Sequence, residues 1–111
     1  MVMVPEELRE FLEDLTQTEM EIKPDSLVFE ELGLDSVGYL ELVFFMKQLT
    51  GKDLNASTLG IEILKQIEKD EGIIIEELKD PEFLNEGNIF NEKLTSLMRK
   101  TKVRHLTSLI P

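Results

Sequence analysis

The chain has 111 residues, no cysteine, 23 acids against 12 lysines and arginines, and a formal charge of −11. That length suits one domain with one modest core, and the missing cysteines exclude disulfides, thiolate metal sites and a cysteine nucleophile. No apolar run approaches the ~20 residues of a membrane span, so no membrane insertion is expected.

The acids are unevenly spread, with twelve acids and three bases in residues 1–50, and eleven and nine in residues 51–111. An acidic front half repels phosphate backbones, which argues against nucleic acid as a partner. It attracts basic partner surfaces, or simply keeps a small protein soluble. The opening "MVMVPEELRE" lacks a basic region followed by a long apolar stretch, so it does not read as a secretory signal. A cytoplasmic location is the expectation.

Pro5 opens the first periodic segment, and Leu8, Phe11, Leu12 and Leu15 follow the i, i+3, i+4, i+7 pattern of an amphipathic helix to about Thr16. Glu6 and Glu7 sit in its first turn, where the helix dipole favours anions. A long loop follows, interrupted by Pro24 and Gly33. It carries Ile22, Leu27, Phe29, Leu32 and Leu34, so it is expected to lie against the core. Ser36 starts the strongest helix, with capping chemistry from Asp35 and Ser36 and a stop at Gly51. Its apolar residues, Val37, Leu40, Leu42, Val43, Phe44, Phe45, Met46 and Leu49, cover more than half its circumference. That pattern predicts a central helix touched from several sides.

A third helix is expected from about Ser57 to Asp70, with Leu59, Ile63, Leu64 and Ile67 on one side and Gly72 as its end. Residues 73–75 suit either a short strand or a turn leading into a helical "EELKD". Pro81 and Gly87 argue for loop. "NEKLTSLMRK" reads as another helical piece with Leu94, Leu97 and Met98 facing in. The final "KVRHLTSLI" places Val103, Leu106, Leu109 and Ile110 together. The fold class expected is all-α.

Ser36 admits three roles. It can be only a helix cap. It can be a nucleophile, but the single histidine, His105, lies far off with no evident acid after it, and the Gly-x-Ser-x-Gly elbow is absent. Or it can carry a phosphate ester, which a helix N-terminus favours. Other signals fail. "DPEFLNEGNIFNEK" puts Leu84 and Lys93 on calcium-ligand positions. The "NAS" sequon at 55–57 has no secretory context. The cluster Lys93, Arg99, Lys100, Lys102 and Arg104 reads as a solvated face near helix C-termini rather than an anion site.

The stretch "FEELGLDSVGYLELVFFMKQLTGKDL" resembles the 4′-phosphopantetheine attachment region of acyl carrier proteins. Leu32, Gly33, Leu34, Asp35, Ser36 and Val37, then Glu41, Leu42 and Val43, follow that family's spacing without a break. The likeness covers about residues 5 to 54 and returns weakly in the last helix, where Lys102 replaces the usual Thr. It implies one acyl carrier domain over residues 1–111, built as a four-helix bundle, with atypical helical elements at about 55–100. It implies that Ser36 receives 4′-phosphopantetheine from coenzyme A through a Mg²⁺-dependent phosphopantetheinyl transferase. Asp35 would position Ser36 and the metal, and Leu34, Val37 and Glu41 would belong to the surface that partners read. Such a protein is a monomer and no enzyme. It holds acyl groups as thioesters for acyl-transferring and chain-elongating enzymes of fatty acid, polyketide or specialised lipid synthesis. The working thiol is on the arm, so the missing cysteine is no obstacle.

Two departures stand out. The helix after Ser36 has Glu41 as its one acid from Val37 to Thr50, with Gly38, Tyr39, Lys47 and Gln48 on its exposed side, so electrostatic steering by this helix should be weak. Residues 51–101 exceed the family's usual connection. They thicken the bundle, add a docking surface, or enlarge an acyl cleft, for which Phe44, Phe45, Leu64, Ile67 and Met98 are candidate walls. A peptidyl carrier of nonribosomal synthesis is the near alternative, though those commonly have His where Asp35 stands. A non-modified helical adaptor is the alternative from another class.

Overall fold

The computed structural model describes residues 4–81 and 92–111, with residues 92–94 by their backbone alone. The expected loop around Gly87, with Leu84, lies outside the described residues, as do the side chains of Lys93 and Leu94. The described residues form an all-α protein: α1 (Glu6–Thr16), α2 (Ser36–Thr50), α3 (Ala56–Glu71), α4 (Glu92–Met98) and α5 (Val103–Thr107), with a 3-10 turn at Glu76–Lys79. No strand occurs among them; Leu27 and Lys102 form an isolated antiparallel bridge.

Local chemistry explains the boundaries. The N–H of Gln17, in the left-handed region at φ 54°, closes α1 on the Glu13 carbonyl. Asn55 and Thr58 form a reciprocal capping box at the start of α3, and Gly72 at φ 66° ends it. The chain then turns inward. Ile75 is buried and gives its N–H to Glu68 Oε2 at 2.7 Å, while Ile74 faces solvent. Residues 73–75 form an irregular connection, not a strand, into the 3-10 turn at Glu76–Lys79.

Helix α3 occupies the centre. It packs against α2, α4 and α5, and Leu59, Ile63, Leu64 and Ile67 are fully buried in the core shared with Leu8, Leu12, Leu42, Met46 and Leu106. The expectation that α2 is central therefore needs correction. It buries Leu42, Val43 and Met46 but leaves Val37, Leu40 and Phe44 exposed at 64%, 54% and 69%. Its apolar residues exceed what one contact face can cover, and α3 takes the middle.

The long loop lies on the core as expected. Ile22, Leu32 and Leu34 are buried, and so is Val28. Backbone bonds stitch the loop to the far end of the chain: Val28 N–H to Thr101 O, Val103 N–H to Ser26 O, and Arg104 N–H to Pro24 O, at 2.9–3.0 Å. These bonds satisfy polar groups that the loop would otherwise bury without partners.

Candidate functional site

The site is the junction of the loop and α2. Gly33 lies at φ 78°, a conformation that suits glycine, and the next N–H, that of Leu34, bonds back to Val28 O at 3.2 Å. Leu34 is thereby turned into the core, so this residue of the expected partner surface is buried. Asp35 stands in the extended conformation, and its Oδ1 accepts the Gly38 N–H at 2.7 Å. The cap is therefore Asp35 alone.

Ser36 is the first helical residue, exposed, and its hydroxyl has no hydrogen-bond partner among the described residues. The capping role considered for Ser36 is thus filled by its neighbour. The second carboxylate oxygen of Asp35 is likewise uncommitted among the described residues. Val37 and Glu41 are both exposed on α2.

Gly38 is a residue the sequence reading misplaced. Expected on the exposed side of the helix after Ser36, it is buried. A Cβ added there would meet Leu34 Cδ1 at 2.7 Å and Asp35 Oδ1 at 3.2 Å. The turn that presents Ser36 folds tightly over this position. Tyr39 is half-buried, and its hydroxyl donates to Ala56 O at 2.6 Å, which ties α2 to the start of α3. Burial pushes the Tyr39 hydroxyl well above its ordinary pKa, so it stays a neutral donor.

Beside Ser36 opens a cavity of about 280 Å³. Its apolar lining is Phe29, Leu34, Tyr39 and Met98, and the exposed residues Asp35, Ser36, Thr95 and Arg99 also border it. Of the candidate cleft walls, Met98 alone lines it. Phe44 faces solvent, Phe45 stacks on Phe11 with ring centroids 4.2 Å apart, and Leu64 and Ile67 are core. Ser36 and Tyr39 of α2 and Thr95 and Met98 of α4 both border the cavity.

His105 has an acid after all, 35 residues upstream. Its Nδ1 accepts the Lys102 N–H at 2.9 Å, so the proton sits on Nε2, which donates to Asp70 Oδ2 at 3.1 Å. The ring is buried and lines no part of the cavity beside Ser36. Within the basic cluster, Lys100 pairs with Glu71 at 3.5 Å, and Arg104 with Asp25 and Asp70. No group of three or more His, Asp or Glu is placed to hold a metal, and no helix is long and apolar enough to cross a membrane, among the described residues.

Comparison with protein-family models, curated proteins and solved structures finds no match.

Proposed function

We propose that the protein is an acyl carrier whose Ser36 bears 4′-phosphopantetheine. One observation carries the reading: Asp35 takes the capping role and leaves an exposed, uncommitted serine hydroxyl at the edge of an apolar cavity. The fit is chemical. The serine oxygen would form a bond to the phosphorus of the pantetheine phosphate as the anhydride bond of coenzyme A breaks, with adenosine bisphosphate leaving. The serine proton would pass to a base of the transferase. The free Asp35 oxygen is available to that enzyme's Mg²⁺, and the bound arm supplies the thiol that forms thioesters.

This chain's own contribution is to hold and present. Leu34 and Gly38 fix the turn, Asp35 fixes the helix start, and the cavity offers Phe29, Tyr39 and Met98 to an apolar cargo. Its volume is roughly twice that of an engineered apolar cavity of ~150 Å³ that takes benzene, so part of an acyl chain fits. Fatty acid, polyketide and specialised lipid synthesis all use cargo of this kind.

Intact mass after incubation with coenzyme A, Mg²⁺ and a broad-specificity transferase tests the reading. A gain of one phosphopantetheine, lost in Ser36→Ala, is expected. A folded wild-type protein that gains no mass with two different transferases would overturn it. The exposed Val37, Leu40 and Phe44 would then favour the second reading, a helical adaptor that docks through α2.

A further inference from the structure

We propose that Arg99 is the counter-ion of the phosphodiester on Ser36, an inference that rests on the carrier reading. Arg99 comes from residues 55–100, the part of the chain with no counterpart in the resemblance. It follows directly after α4 and lines the same cavity as Ser36 and Asp35, where it is the one cation among the described lining residues.

The need for a cation follows from charge. A phosphodiester on Ser36 adds an anion next to the Asp35 carboxylate, with Glu30 and Glu31 in the preceding turn, on a chain already at −11. Like charges at short range repel. The start of α2 cannot offset this fully, because Asp35 already occupies the Gly38 N–H. Asp35 takes only one of the N–H groups at the helix start, so a cation across the cavity adds to what the others supply.

Arg99 is free to supply them. Its side chain is 67% exposed, and its one ionic contact among the described residues is Nε to Glu30 Oε1 at 3.9 Å, beyond hydrogen-bond length. The guanidinium has no hydrogen bond among the described residues. Its planar fork matches two phosphate oxygens at once, and that geometry outcompetes a loose, exposed carboxylate contact. Modification would then move Arg99 from Glu30 to the phosphate and tie the end of α4 to the start of α2 over the cavity. Arg99 is a positioning residue in this account, holding the root of the arm.

The test compares the unmodified and modified protein by NMR, with intact mass confirming one added group. The Arg99 Nε–H resonance is expected to shift and its solvent exchange to slow on modification. The phosphorus resonance should differ between wild type and Arg99→Gln, with Arg99→Lys between them and high salt moving wild type toward Arg99→Gln. An unchanged Arg99 resonance in a protein whose mass has risen overturns the Arg99 role and leaves the carrier reading standing. That wild-type comparison decides the matter even if Arg99→Gln misfolds or resists modification. No mass gain in folded wild type overturns both.

Discussion

Asp35 uses one carboxylate oxygen to hold the Gly38 N–H and leaves the other uncommitted, and the two functions can be separated by substitution. Asn caps a helix about as well as Asp, whereas Ala does not. Asp35→Asn should keep the thermal midpoint near wild type yet slow transferase-dependent modification, because the charge that would meet Mg²⁺ is gone. Asp35→Ala should lose about 1 kcal/mol of stability as well. Equal modification rates for Asp35→Asn and wild type would leave the residue as a cap only. Gly38 makes the opposite point, that a side chain can do harm. Ala there gains about 1 kcal/mol of helix propensity. It must also displace buried Leu34, at a crowding cost of about 1–3 kcal/mol. A lower unfolding midpoint for Gly38→Ala is expected, with a cost less than additive when combined with Leu34→Ala; strict additivity would mean that the two residues do not crowd each other.

At the scale of the element, α2 is a helix with two apolar faces. One is buried through Leu42, Val43 and Met46, and the other carries Val37, Leu40 and Phe44 into solvent beside Ser36. Phe44→Ala should change stability by no more than about 0.5 kcal/mol, as surface substitutions do. It should raise the KM of the transferase for this protein if the face is where partners dock. Leu64→Ala, by contrast, should cost about 2–5 kcal/mol, since Leu64 is fully buried in α3. Chemical denaturation distinguishes the two, and a large loss for Phe44→Ala would mean that this side chain is covered after all. This is also where the sequence was hardest to read. The periodicity of Leu8, Phe11, Leu12 and Leu15, and of Leu59, Ile63, Leu64 and Ile67, belongs to helices with one apolar stripe, so helix and face could be read together. In α2 eight of the fifteen positions are apolar and they run unbroken from Leu42 to Met46. Its boundaries were legible from Asp35 and Gly51, but nothing in such a pattern says which half meets water. The junction at Ser36 was legible because short-range spacing fixes it; the cavity was legible only in Met98, because Arg99 reaches it from about sixty residues away and Phe29 and Tyr39 carry no local sign of it.

Across the whole molecule, one ionic cluster joins three distant parts of the chain. Asp25 lies in the long loop, Asp70 at the end of α3, and Arg104 and His105 in α5. With the backbone bonds from residues 24–28 to 101–104, it fastens the last helix to the loop that leads to the Ser36 turn. Separations of 34 to 79 residues hid this from any local pattern. The cluster makes a definite acid dependence. Hydrogen bonds from Arg104 and then His105 hold the Asp70 carboxyl below its ordinary range. A carboxyl whose folded pKa is depressed contributes stability above its unfolded value of about 3.9, and loses it as pH falls through that value toward the folded one. Asp70→Asn should therefore be less stable than wild type at pH 7. The difference should shrink below about pH 4, where the wild-type carboxyl becomes protonated in its turn. Urea titrations across that range measure it directly. A gap that stays constant with pH would mean that Asp70 acts through shape and hydrogen bonding alone, and that its charge contributes nothing to holding the two ends of the chain together.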